Sequence, residues 1–304
     1  MLRTTSDRRP AHRAVAALAL LAVTAGVLSA CRDADSAPRA TGEPSGSSGS
    51  SGSTLHMVEN GDHRLAFYVT PGHGPTIVLD SGGGEDASYW ADLVPQLHAS
   101  TGATVITYDR AGLGRSDVVP GPWDVASAVS DLETGLQQLG VSQDVTLVSH
   151  SQAGEIATWF AGSHPTMLAG AVLVDANLPP FFTEEEVARL AAATQPEVDA
   201  AKEDPDDPRN RQLIATAESF VETSTAFHAL AWPDTVPATV VVSERTPFEG
   251  SPEDAQRWRD AAASFVEAGP HRRLVTATGS SHDVPKDRPE LVLEEIENVV
   301  AGRL

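Results

Sequence analysis

Seven short apolar runs alternate with helical patterns along most of this chain, and that alternation constrains the fold more than any other feature. The runs are "RLAFYVT" (Arg64–Thr70), "TIVLD" (Thr76–Asp80), "TVITYD" (Thr104–Asp109), "DVTLVS" (Asp144–Ser149), "AGAVLVD" (Ala169–Asp175), "ATVVVS" (Ala238–Ser243) and "RRLVTA" (Arg272–Ala277). Most are rich in Val, Ile and Leu and lack polar alternation, as strands do when a parallel sheet buries both their faces. Helical patterns lie between them at Ala87–Ala99, Asp124–Leu139, Ala153–Ser163, Pro252–Ala268 and Pro289–Val300. The expected fold is therefore α/β, a mostly parallel central sheet flanked by helices on both faces.

Residues 179–237 interrupt the rhythm. They hold no convincing strand, but they carry "TEEEVARLAAA", a charged "EDPDDPRNR" and "LIATAESFVETSTAFHALAW". The expectation is a helical cap inserted before the penultimate strand, since so long an insertion in a compact domain is usually functional. "EEE" (Glu184–Glu186) reads as the first turn of a cap helix, where the helix dipole favours acids. Phe181, Phe182, Phe220, Phe227 and Trp232 in this segment leave two readings open: an apolar acyl or aryl pocket, or the cap's own core.

The start of the chain reads differently. Arg3, Arg8, Arg9 and Arg13 precede an apolar run of 15 residues, Ala14 to Leu28. That run is shorter than the ~20 residues a transmembrane helix needs, and it suits the core of a signal peptide. "LSAC" (Leu28–Cys31) follows and resembles a bacterial lipobox, which implies cleavage before Cys31 and lipidation of its thiol. Residues 1–30 are expected to be a lipoprotein signal peptide. Residues 31–54 would be the lipidated Cys and a Gly/Ser-rich tether, spanning roughly 25 Å over its 23 residues from Arg32 to Thr54. The folded domain is expected over 55–304, exported and lipid-anchored to the outer face of the cell membrane.

Cys31 is the only cysteine, so no internal disulfide is available. Without residues 1–30, 17 basic side chains face 41 acidic ones, a net charge of −24. So acidic a surface disfavours nucleic acid as a partner. The histidines show neither the i, i+4 pairing nor the cysteine neighbours of a metal site, so no metal is expected.

"LVSHSQAGE" (Leu147–Glu155) joins an apolar strand to a helical pattern, which places Ser151 on the turn between them. Small residues (Ser149, Ala153, Gly154) let the backbone pack tightly around a strained, exposed nucleophile. The Gln152 N–H lies near a helix N-terminus and is suited to stabilise an oxyanion. His150 is expected to be a packing residue. A Ser hydroxyl is a weak nucleophile alone. It needs an imidazole to take its proton and a carboxylate to hold that imidazole in the right tautomer.

At these residues the chain resembles the α/β-hydrolase superfamily. Its Gly-x-Ser-x-Gly elbow corresponds to residues 149–153, with Ser149 and Ala153 in place of the glycines. "VLDSGGGEDASYW" (Val78–Trp90) resembles the superfamily's oxyanion loop, with Ser81 where His is usual; Gly83 would give the second oxyanion donor. "YDRAGLGRSD" (Tyr108–Asp117) resembles an architectural turn with no catalytic role. "TGSSHDVPKDRPELV" (Thr278–Val292) resembles the loop of the catalytic histidine, with His282 in that place. The triad acid is usually an Asp after the strand 238–243, where this chain has Glu244 instead. Some relatives carry the acid one strand earlier, where Asp175 stands. The resemblance implies Asp175 as the acid, with Glu244 as the alternative.

The implied activity is serine hydrolysis of carboxylic esters or related acyl compounds through an acyl-enzyme, with a small-molecule acyl substrate and no cofactor. Epoxide hydrolases and haloalkane dehalogenases use Asp at the elbow, which Ser151 argues against. The alternative is a tethered binding protein of the same fold that has lost catalysis.

Overall fold

The computed structural model describes residues 52–303. The basic start, the apolar run, Cys31 and most of the Gly/Ser-rich stretch lie outside the described residues. An eight-stranded sheet runs through the domain in the order β1-β2-β4-β3-β5-β6-β7-β8. Its strands are β1 (Thr54–Asn60), β2 (His63–Thr70), β3 (Thr76–Asp80), β4 (Thr104–Asp109), β5 (Val145–His150), β6 (Leu168–Val174), β7 (Ala238–Ser243) and β8 (Arg272–Ala277). From β4 to β8 every pairing is parallel, whereas β1 and β2 join antiparallel at one edge. The chain reverses early in β3 and β4 and then adds strands outward on the other side. The sheet is thus mostly parallel, as expected.

Among the described residues, six helices lie between these strands, α1 (Val94–Thr101), α2 (Val125–Gln138), α3 (Ala153–Ser163), α4 (Glu184–Ala201), α5 (Pro208–His228) and α6 (Pro252–Glu267), and α7 (Val284–Asp287) and α8 (Pro289–Val300) follow β8. Successive strand side chains point to opposite faces, and the core divides accordingly. Ala171 and Leu173 of β6 face one cluster with Leu132 of α2, Ile156 and Phe160 of α3 and Phe265 of α6. Val172 and Val174 face a second cluster with Leu97 of α1 and Ile296 of α8. Two packed faces explain why these strands carry no polar alternation.

Two elements depart from the sequence reading. β1 was expected only as the start of the folded part near Leu55; it forms a hairpin with β2 through a two-residue turn in which Gly61 has φ 63°. β1 packs few of its residues, so its apolar signal is weak. The helix expected over 87–99 is broken into a 3-10 turn, Ala87–Trp90, and α1. Pro95 lies in the first turn of α1, where its missing N–H costs nothing; inside one continuous helix it would remove a backbone bond.

The cap, α4 and α5, enters after β6 and leaves before β7. Its aromatic residues decide between the two open readings. Phe182, Phe227, Phe181 and Trp232 are at most 3% exposed. Phe227 stacks on Trp159 of α3 at 5.4 Å, and Phe181 meets Trp258 of α6 edge-on at 4.9 Å. These rings are the core that fastens cap to domain; Phe220 alone among the five is only partly buried. Glu186 adds a polar anchor, bonding Arg189, which reaches Asp254 of α6.

Candidate active site

The parallel strands end on one edge of the sheet, and the loops leaving β3, β4, β5, β6, β7 and β8 meet there. Ser151 follows β5 with φ 55°, in the left-handed region that a side chain seldom adopts. Its carbonyl accepts from Gly154 and Asn177 N–H, and its own N–H donates to Val174. Gly154 permits the tight elbow: a Cβ there would sit 2.2 Å from the Asn177 carbonyl oxygen. The small residue that the close packing demands is therefore Gly154, while Ser149 and Ala153 are fully buried beside it.

His282 lies in the loop after β8. Its Nε2 is 2.8 Å from Ser151 Oγ, and its Nδ1 is 2.7 Å from Asp175 Oδ2. A carboxylate only accepts, so Nδ1 carries the proton and Nε2 offers its lone pair to the Ser151 hydroxyl. Asp175, the residue after β6, has φ 42° and is 1% exposed. Its carboxylate takes three further bonds: Ser243 N–H and Trp258 Nε1–H to Oδ1, and Ser243 Oγ–H to Oδ2. Burial pushes this carboxyl up, but the bonds from His282 and Ser243 outweigh it and hold the group below the usual carboxylate range.

Glu244, the alternative acid, does not reach His282. It is exposed, and its carboxylate accepts from the Gly279 N–H instead, bracing the turn that precedes the histidine loop. Asp175 occupies the position beside the imidazole because β6 ends next to β7 and a single peptide beyond its last paired residue brings the side chain under His282.

Gly82 and Gly83 pass over the elbow. A Cβ on Gly82 would lie 3.3 Å from Ser151 Cβ, and one on Gly83 would lie 2.8 Å from Gln152 Oε1. At Gly82 an added Cβ would also come within 2.9 Å of His150 Nδ1, whereas at Gly83 it meets only the movable end of the Gln152 side chain. The turn after β4 braces the neighbouring loops. Arg110, 6% exposed, donates to Asp80 Oδ1 at 2.8 Å and to the carbonyls of Ser81 and Gly82. The N–H and C=O of a trans peptide point opposite ways, so the Gly82 and Gly83 N–H groups are turned away from Arg110. Asp109 in turn accepts from Ala87 N–H, Arg115 N–H and Tyr68 Oη–H.

His150 is buried beside the pair. Its Nε2–H donates to the His282 carbonyl at 3.0 Å, and its ring stacks on Tyr89 at 5.0 Å. Burial, with His282 adjacent, lowers its pKa to about 3, so it stays neutral. Tyr89 Oη–H bonds Asp283, and Lys286 bridges Asp283 and the Tyr89 ring. These contacts fix the histidine loop from behind. His228 ties the end of α5 to the Pro179 carbonyl at 2.8 Å rather than facing Ser151. The sequence reading missed Ser243, Trp258 and the Arg110 contacts. Only Arg110 left a signal, its place in the Asp-Arg turn. Among the described residues, no three His, Cys, Asp or Glu side chains gather as a metal cradle.

Comparison with known proteins agrees with this architecture. The family described as alpha/beta hydrolase fold matches residues 75–273. An esterase from Exiguobacterium antarcticum superposes with a TM-score of 0.60 at 19% identity, covering 81% of this chain and 98% of that one. A putative epoxide hydrolase from Pseudomonas aeruginosa gives a TM-score of 0.63 at 18% identity, covering 83% and 97%. In sequence, a probable transporter, efuK, of Hormonema carpetanum is 35% identical over 129 residues, 39% of this chain. The chain spans only 18% of that relative's length, and 33% of the next.

Proposed function

We propose that this chain, which belongs to the alpha/beta hydrolase fold family, is a serine hydrolase of carboxylic esters or related acyl compounds. The observation that carries the reading is the unbroken line from Ser151 Oγ through His282 to Asp175, at 2.8 and 2.7 Å. In this mechanism Ser151 Oγ attacks the acyl carbonyl carbon while its proton passes to His282 Nε2. Asp175, on Nδ1–H, stabilises the imidazolium that forms. The N–H groups of Gly83 and Gln152 receive the oxyanion, from a loop and a helix start already fixed before reaction. The tetrahedral adduct collapses, and the proton on Nε2 leaves with the departing alkoxide or amine. Water, deprotonated by the same nitrogen, then attacks the acyl-enzyme and frees Ser151. The mechanism uses no cofactor.

The esterase name among the structural neighbours supports this class of substrate, and Ser at the elbow separates it from Asp-dependent epoxide opening. Lipid attachment at Cys31 completes the proposal: the basic start, apolar run and "LSAC" support an enzyme held at the outer face of the membrane. Mass spectrometry of Cys31 in the native host tests that part.

The catalytic reading is tested by labelling the full chain with a fluorophosphonate probe. Labelling that disappears in Ser151→Ala and falls sharply in His282→Ala is the expected result. A folded protein that takes up no label overturns it and leaves the tethered binding protein.

A further inference from the structure

A cavity of about 320 Å³ opens where the loop after β4 meets the start of the cap helix α5. Ser151, His282 and Asp175 have no place in its walls, so it is separate from the site described above. Its volume falls near the lower end of the range for small-molecule sites, about 300–1,000 Å³. A cavity of roughly 150 Å³ encloses one benzene ring, so this one has room for a ring and a short side chain. Val118, Val119, Pro122 and Trp123 of the loop form one wall, and Tyr108 and Ala128 line the cavity from the body of the domain. Val118 and Val119 are 49% and 43% exposed, two of the five large apolar side chains left open to solvent among the described residues. Both belong to this one wall, where an apolar ligand would cover them.

The charged groups around the cavity are unevenly employed. Asp124 caps α2, accepting from Ala126 and Ser127. Asp131 accepts from Asn60 and His63. Asp62 stands fully exposed, 3.4 Å from His63. Arg110 is paired with Asp80. Arg211 differs from all of these. It is half-buried, and its guanidinium makes a single bond of 3.3 Å, to the Asp206 carbonyl. No carboxylate lies within ion-pair distance of it among the described residues, and the amide of its neighbour Gln212 is also without a hydrogen bond there. The free polar groups are thus donors, set beside apolar walls. A guanidinium presents a planar fork that fits a carboxylate with two parallel N–H···O bonds. The aspartates nearby disfavour a second negative charge, which selects a monoanion over a phosphate dianion.

We infer that this cavity is a binding site for a small apolar monocarboxylate, with the carboxylate on Arg211 and a body about the size of one ring against Trp123 and the two valines. Such a ligand touches the cap, the loop after β4 and the body of the domain at once. It lies beside the bond from Trp123 N–H to the Ala215 carbonyl, 2.9 Å, and adds to that tie between loop and cap. The inference goes beyond the serine-hydrolase reading and does not rest on it, since no step of the acyl transfer passes through these residues.

Titration calorimetry on the full chain tests it with three probes of one carbon skeleton: hydrocinnamate, the corresponding alcohol and the corresponding primary ammonium. The wild type should bind hydrocinnamate at a single site, about tenfold or more tighter than the alcohol, the scale of a hydrogen bond to a charged group. Arg211→Gln should bring hydrocinnamate down to the affinity of the alcohol and leave the alcohol as it was. Arg211→Glu should invert the preference, so that the ammonium binds tighter than the carboxylate. That inversion is a gain of binding, which a misfolded variant cannot mimic, and Tm reports folding in each case. A wild type that does not bind hydrocinnamate overturns the inference. So does hydrocinnamate binding that Arg211→Gln leaves unaltered, which places the acid elsewhere, the surroundings of Ser151 included. A folded Arg211→Glu variant that does not prefer the ammonium overturns the pairing of carboxylate with Arg211. The measurement needs no turnover, so its outcome stands whether or not Ser151 takes up a fluorophosphonate.

Discussion

Trp258 Nε1–H donates to Asp175 Oδ1 across 2.9 Å, joining residues 83 positions apart in the sequence. The indole thus holds the carboxylate that faces His282, while its ring packs against Phe181 and Phe248. Trp258→Phe keeps most of the packing and removes one donor. A hydrogen bond to a charged group is worth about 1.5–3 kcal/mol, so both kcat and the fluorophosphonate labelling rate should fall about tenfold or more. Equal loss of stability and no change in labelling rate would show a packing role only.

Asp175 and Glu244 separate cleanly by substitution. Asp175→Asn can present an amide N–H to His282 Nδ1, which forces the wrong tautomer and should lower kcat by roughly 10³–10⁴-fold. Glu244→Gln leaves the imidazole untouched and should alter kcat by no more than about threefold, the effect of a minor surface change. Steady-state kinetics on a short aryl ester reads both, and a larger loss in Glu244→Gln would reassign the acid.

Arg110 is expected to act through the loop it holds. Arg110→Met frees the Ser81 and Gly82 carbonyls and leaves Asp80 buried without its partner, a loss of about 3–5 kcal/mol in stability. Adding Asp80→Asn should recover much of the Tm. Activity should stay down, by roughly 10²-fold in kcat, because the oxyanion donors are no longer fixed. Full recovery of kcat together with Tm would show that the loop keeps its shape without the guanidinium.

Two buried groups give the stability curve opposite slopes. Glu155 titrates near 7 when folded against an ordinary value of 4.5. The unfolded chain therefore releases its proton first, and the stability due to this group is lost as pH rises from about 4.5 through 7. At 1.36 kcal/mol per unit the loss is of the order of 3 kcal/mol. His150 is the reverse: its pKa is lowered to about 3 from 6.5, so the unfolded chain takes up a proton first and stability falls as pH drops below about 6.5. Denaturant melts at pH 5 and 8 should show Glu155→Gln gaining relative to wild type only at the higher pH. A gain of the same size at both would place the effect in packing.

Much of this site is legible in the sequence because it stands where a strand period gives way to a helix period. Ser151 lies between the apolar run of β5 and the pattern of α3, and Asp175 ends the run of β6. His282 closes the last strand in a loop with few competing side chains. What is not legible depends on contacts between distant segments. Trp258 reads as one apolar position of an amphipathic helix, and nothing local marks it as a donor to Asp175. Ser243 reads as a strand end. The cap's rings could not be divided between core and pocket from spacing alone, because the distinction lies in what each ring meets: Phe227 is buried against Trp159 and Phe182, whereas Phe220 is only partly buried. β1 was missed because a largely exposed edge strand has little need of apolar residues.

The position of Asp175, one residue beyond β6 and four before the cap begins at Pro179, has an evolutionary consequence. Chain leaving β6 and chain entering β7 lie on adjacent strands, so the cap is a cassette spliced between neighbours. Its replacement by another of different length would leave both splice points in place. Among the described residues, the side chains that hydrogen-bond or pack ring-to-ring with His282, namely Ser151, Asp175, His150 and Trp258, all lie outside the cassette, so a change of cap leaves that apparatus unaltered. The acid at the entrance marks where that exchange must stop.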